Sequence, residues 1–200
     1  MSDLKRLVII AIVAIVGIFT VEQVMADDYD IMQHNFKLKG DDTAVEFRTN
    51  SGSDRDHIQF MKYIDLWELA YRYDDQKAKT EHRFRATYDL VNQDNFYIKP
   101  RVEYRYFEGS LDDYFRLRST FGVRGHITPK TTLYGEFTPM LRVGRGQRDD
   151  LDIDESQSKI GVNYRVNQTL QLGTFIQYET AGSNFTKDNV FLGTAFEVQF

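Results

Sequence analysis

From Trp67 to Phe200 the chain repeats one pattern: segments of roughly ten residues in which every second side chain is apolar, broken by polar, turn-forming stretches. A period of two belongs to extended strands with two unlike faces, and no helix keeps such a pattern on one side. The apolar face runs through Trp67, Leu69, Tyr71 and Tyr73, then Phe84, Ala86, Tyr88 and Leu90, then Phe96, Ile98, Val102, Tyr104 and Tyr106. It continues through Phe115, Leu117, Phe121 and Val123, then Leu133, Phe137, Leu141 and Val143, then Ile160, Val162, Tyr164 and Val166. Leu170, Leu172, Ile176 and Tyr178 lead to a last strand carrying Val190, Leu192, Thr194, Phe196, Val198 and Phe200 on one side. Longer connections, Asp74 to Thr80, the stretch around Glu108 to Asp113, Gly144 to Ser156 and Thr180 to Asp188, alternate with tight turns at Asn92 to Asn95, Thr128 to Lys130 and Asn167-Gln168.

Alternating long and short connections are those of an antiparallel up-and-down sheet, and closure removes its unpaired edges. The N-terminal third is less regular. Tyr29 to Lys39 and Thr43 to Asn50 form a hairpin around Gly40-Asp41-Asp42, while Ser51 to Tyr63 carries no clean period. The expected fold is therefore all-β, an antiparallel up-and-down transmembrane β-barrel of about ten strands, or about twelve if that segment holds another hairpin. Pro100 and Pro139 fall inside expected strands, where each removes a ladder donor, and call for bulges or strand ends.

The start of the chain fits this destination. Lys5 and Arg6, an apolar run from Leu7 to Phe19 and the small-x-small site Val24-Met25-Ala26 make a secretory signal over residues 1–26, leaving 27–200 as one barrel domain. The uncharged run is shorter than the roughly 20 residues a spanning helix needs. Cysteine is absent, which excludes disulfide scaffolds, thiolate metal sites and cysteine nucleophiles. A net charge of −5 gives no reason to expect nucleic acid as a partner. Mean hydropathy is −0.48, which a barrel tolerates because only alternate residues meet lipid.

Period alone does not say which face looks inward, since a soluble barrel alternates too. The charges do. The polar face of the strands from 83 to 165 carries Arg83, Arg85, Lys99, Arg101, Arg105, Arg116, Arg118, Arg124, Arg142, Lys159 and Arg165 against the acids Asp89, Glu103 and Glu136. Asp74-Asp75, Asp112-Asp113, Asp149-Asp150, Asp152, Asp154 and Glu155 belong to the expected loops. This sorting by sign suits a basic lumen, where planar guanidinium groups bind carboxylates, sulfates or phosphates in pairs of hydrogen bonds. Arg83/Arg85 and Arg116/Arg118 sit two apart, roughly 7 Å along one side of a strand, as ladders of donors suited to a polyanion. The opposing reading is an interior filled by arginine–glutamate pairs, with Glu68, Arg72, Glu103 and Glu136 as members, through which nothing passes.

Catalysis is not expected: His34, His57, His82 and His126 lie on different segments, and no metal-ligand spacing or phosphate-binding glycine loop is present. No cofactor is implied. The acidic run Asp149 to Glu155 lacks the glycine and spacing of a calcium loop and reads as a solvated external loop.

The last strand resembles those of bacterial outer-membrane proteins, whose terminal Phe is read by the barrel-assembly machinery; here that residue is Phe200. From about Glu81 to Tyr178 the chain also resembles the oligogalacturonate-specific monomeric porins of the KdgM type. Ile98-Lys99-Pro100, Asp113-Tyr114-Phe115-Arg116-Leu117-Arg118, Thr128-Pro129-Lys130 and a strand with Pro139 followed by Arg142 carry the resemblance. It implies a monomeric, basic-lined porin of the Gram-negative outer membrane that passes acidic oligosaccharides, with Arg116, Arg118 and Arg142 as site positions. Thr138 stands where that family would carry a base, and the expected strands fall one hairpin short of the family's twelve. A closed structural or adhesive barrel, working through external loops such as Gly144 to Ser156, is the alternative.

Overall fold

The computed structural model describes residues 31–51, 55–76, 79–109, 113–143, 153–181 and 187–200. The expected signal segment, Met1 to Ala26, and most of the acidic loop lie outside them. The strands are β1 (Ile31–Lys39), β2 (Thr43–Ser51), β3 (Arg55–Ile64), β4 (Trp67–Gln76), β5 (Lys79–Tyr88), β6 (Val91–Asn92), β7 (Phe96–Phe107), β8 (Tyr114–Thr128), β9 (Thr131–Val143), β10 (Ile153–Arg165), β11 (Leu170–Ala181) and β12 (Lys187–Gln199). Among the described residues no helix is long and apolar enough to cross a membrane, a fact without bearing on crossing by strands.

Consecutive strands pair antiparallel, and β5 pairs with β7 past the two-residue β6, which stands outside the ring. Closure runs through β1 and β12, giving a barrel of eleven strands. An odd run of antiparallel strands leaves its first and last members pointing the same way. β1 and β12 are accordingly parallel, with Ile31 beside Phe191 and Lys39 beside Gln199. The count falls between the expected ten and twelve because the aperiodic segment forms a single strand, β3. Its inward parity holds His57 and Gln59 but then Met61 and Tyr63, and its outward parity holds Ile58 and Phe60 but then Lys62, so polarity crosses over before the strand ends.

Turns at 40–42, 65–66, 93–95, 129–130 and 166–169 share one rim with Phe200, and the remaining connections share the other. Asp65 takes a left-handed φ of 51° in the two-residue turn between β3 and β4, a conformation Asp tolerates better than most residues. Three expected loops are shorter than their composition suggests. β4 extends through Asp74 to Gln76 and β5 starts at Lys79, Glu155 and Ser156 belong to β10, and β11 runs to Ala181 with β12 starting at Lys187. Both prolines sit at interruptions: Pro100 lies opposite the break between β5 and β6, and Pro139 where the β8–β9 ladder lapses between Arg118/Met140 and Phe121/Phe137.

Burial is inverted relative to a water-soluble barrel. Phe84, Phe115 and Ile160 on the outward parity are 52%, 50% and 57% exposed, whereas Asp74, Glu81 and Glu103 on the inward parity are 0% exposed. A row of rings, Tyr71–Phe84 (5.2 Å), Phe84–Tyr104 (6.5 Å) and Tyr104–Phe115 (5.0 Å), crosses the outer wall. An apolar exterior without helical spans is compatible with an outer-membrane protein.

Candidate functional site in the barrel interior

Side chains that bond across an intervening strand identify the concave face, because only there do next-nearest strands converge. Tyr97 Oη donates to Glu136 (2.6 Å), Arg116 Nη2 to Glu155 (3.1 Å) and Arg118 Nη2 to Gln157 (2.7 Å), linking β7 to β9 and β8 to β10. By register, Arg83, Arg85, Lys99, Arg101, Arg105, Arg116, Arg118, Arg124, Arg142, Lys159 and Arg165 all share this inward parity.

They do not form one group. Arg83, Arg85, Arg101, Arg105, Arg116 and Arg118 come together on β5, β7 and β8 around Glu103. That carboxylate lies 3.8 Å from Arg118 and 3.9 Å from both Arg83 and Arg105, and is in register with Arg85 on one side and Arg116 on the other. Glu81 holds Arg83 (2.8 Å) and Arg105, and Asp74 holds Arg72 and Arg83 (3.1 Å). Tyr114 Oη accepts from Arg105 and from Arg116 (3.1 Å). The two ladders therefore divide. Arg83 stands among acids, whereas the buried Nε and Nη2 of Arg85 have no hydrogen-bond partner; Arg116 pairs closely with Glu155 (3.1 Å), whereas Arg118 reaches its carboxylate, Glu103, only at 3.8 Å, and the Nε of each makes no hydrogen bond. Arg101 donates only to the neutral Thr87 (2.9 Å).

Of the remaining bases Arg142 adjoins the cluster, in register with Arg116, and the others lie apart. Arg124 caps the 93–95 turn through Asp94 O (2.8 Å), Gln93 O (2.8 Å) and Asn92 Oδ1 (2.9 Å), and Lys99 pairs with Asp89 (2.9 Å). Arg142 stacks on Tyr114 (4.0 Å) and Lys159 on Phe175 (4.2 Å), while Arg165 is exposed at the short-turn rim. The strand residues whose role was not foreseen are acids. Asp74 and Glu155, expected in loops, and Glu81 stand inside the barrel, with Glu46, Glu68, Glu179 and Glu197 on the same parity. Lys37, Lys39, Arg48 and Arg72 also face inward, so bases still outnumber acids there. The spacing of two in Arg72-x-Asp74 and Glu81-x-Arg83 was the available signal.

Opposite this cluster the wall is built small. Gly161, Gly173, Gly193 and Ala195 take the inward parity of β10 to β12. Phe175 lies flat over Gly193, where a Cβ would meet its ring at 2.0 Å, as Tyr97 lies over Gly122. Histidines are not gathered: His57 is buried between Glu46 and Asp74 (3.7 Å each), and His82 faces outward, bonded to Tyr71 Oη (2.8 Å) and Glu108 (2.9 Å). No family model matches this chain, and no curated protein matches it.

Proposed function

We propose that the chain is a passive, anion-preferring porin of the Gram-negative outer membrane, lined by arginine and lysine and passing acidic oligosaccharides. The observation that carries this reading is the set Arg85, Arg101 and Arg118: guanidinium groups on three adjacent strands, with Glu103 the acid among them and hydrogen-bonding capacity left unused at Arg85 and Arg118. Buried cations without full compensation destabilise the barrel unless water or a mobile anion accompanies them. A passing carboxylate would exchange hydration for these donors, and no bond is made or broken. The resemblance to KdgM-type porins points the same way.

One observation favours a closed barrel instead. Asp74, Glu81 and Glu103 are fully buried by their arginine partners, as in an interior that is packed rather than open. Single-channel recording in a planar bilayer with unequal salt on the two sides separates the two readings. The porin conducts with a reversal potential displaced toward that of the anion, and Arg85→Gln with Arg101→Gln reduces the displacement. A barrel that inserts without conducting, or a reversal potential untouched by both substitutions, overturns the proposal.

A further inference from the structure

Of the lysines and arginines with described side chains on strands, Lys62 alone takes the outward parity, opposite Thr43 on β2 and Leu69 on β4. It stands two residues from the end of β3, near the rim that carries Phe200. Its ammonium pairs with Asp42 in the β1–β2 turn, and both side chains are about half exposed, 48% and 60%. The short-turn rim thus presents a cation and an anion side by side at the edge of an apolar wall.

Lys62 also lies at one end of an open groove of about 550 Å³ in that wall. Phe60, Leu69, Phe84, Val102 and Phe115 are among its lining, and Ala86 is a small outward residue on its floor. The groove rises from β3 across β4, β5 and β7 to β8. Four strand steps span about 19 Å. Its upper margin is the ring row Tyr71–Phe84–Tyr104–Phe115.

We propose that this groove binds one glycerophospholipid with a zwitterionic, ammonium-bearing headgroup. An acyl chain lies in the groove, the phosphate meets Lys62 and the headgroup ammonium meets Asp42. The adjacent opposite charges match that headgroup in sign and order, whereas a purely anionic lipid leaves Asp42 facing like charge. The inference rests on the outer-membrane location proposed above: barrels of that membrane keep their short turns periplasmic, which sets this rim at the phospholipid leaflet.

The test uses the full-length barrel in vesicles of phosphatidylethanolamine and phosphatidylglycerol in equal parts, followed by native mass spectrometry of the released protein. Flotation with the vesicles and heat-dependent gel mobility come first. A chain that neither inserts nor shifts overturns the membrane location and this inference together. For inserted protein, a phosphatidylethanolamine adduct is expected in preference to phosphatidylglycerol. The phosphatidylethanolamine adduct should fall about fivefold in Lys62→Gln, the scale of one lysine at a lipid surface, with the preference left to Asp42. Asp42→Asn should shift it toward phosphatidylglycerol, and Ala86→Phe should abolish the adduct by filling the groove. Equal retention of both lipids by inserted wild type, or a phosphatidylethanolamine adduct undiminished in Lys62→Gln, overturns the lipid site and leaves the channel standing. Lys62 and Asp42 are half exposed, so these two variants report even if Ala86→Phe folds poorly.

Discussion

The wall made by β5, β7 and β8 and the wall made by β10, β11 and β12 enclose the same interior by opposite means. The first sends long guanidinium side chains inward and binds them to fully buried carboxylates at Asp74, Glu81 and Glu103. The second presents Gly161, Gly173, Gly193 and Ala195, with the rings of Tyr134 and Phe175 laid against the glycines. The difference shows where space and charge come from. On one side backbone bare of its own side chains is covered by neighbouring rings, and on the other charge is carried in, so the interior field is lopsided rather than evenly lined.

Removing Glu103 should have the largest effect, because it leaves Arg118 without its carboxylate neighbour and takes away the acid set among Arg83, Arg85, Arg105, Arg116 and Arg118 in a buried setting. Glu103→Ala is expected to destabilise the barrel by about 3–5 kcal/mol. Urea unfolding in detergent, followed by the fluorescence of the single Trp67, measures this. Glu179→Ala on β11 is the control: its inward carboxylate bonds Gln157 and Gln177 (2.6 Å) rather than a cluster of cations, and its loss should cost less. Equal losses would remove the proposed asymmetry between the walls.

The bare wall is tested by filling it. Gly193→Leu drives a side chain into the Phe175 ring and is expected to cost about 1–3 kcal/mol, as overpacking does. Phe175→Ala in the same chain should recover part of that loss. Without recovery, the contact between ring and backbone is not what excludes a side chain at position 193.

How much of this was legible beforehand depends on what each residue's neighbours do. Alternation identified the strands from β4 onward, and parity placed the eleven bases on one face, because both follow from the backbone repeat of two. The acids were harder. Asp74 and Glu155 end or begin their strands amid other acids, and polarity alone marks such stretches as loop, although pairing with Arg72, Arg83 and Arg116 holds them inside. β3 was hidden by Met61 and Lys62, each on the side opposite to its polarity, and with β3 went the parity of the whole count. The split between a locked Arg83 and an unpartnered Arg85 depends on β4 and β7, strands that a linear ladder of two residues does not contain.

The smallest effect is expected at the seam where the bare wall closes on β1. Lys37 and Glu197 face each other there at 3.7 Å with side chains 23% and 30% exposed. Lys37→Met should therefore change stability by at most about 1 kcal/mol. The geometry of this seam is more decisive than its energy. Parallel closure sets Asn35 beside Ala195 and Lys37 beside Glu197 in one register. Paired cysteines at 35 and 195, and separately at 37 and 197, should both cross-link under mild oxidation, since neighbouring strands bring inward Cβ atoms within disulfide range. An antiparallel closure, required if a twelfth strand completed the ring, could satisfy one of these pairs but not both. Cross-linking of a single pair would thus restore an even barrel and detach β1 from β12 in the comparison of the two walls.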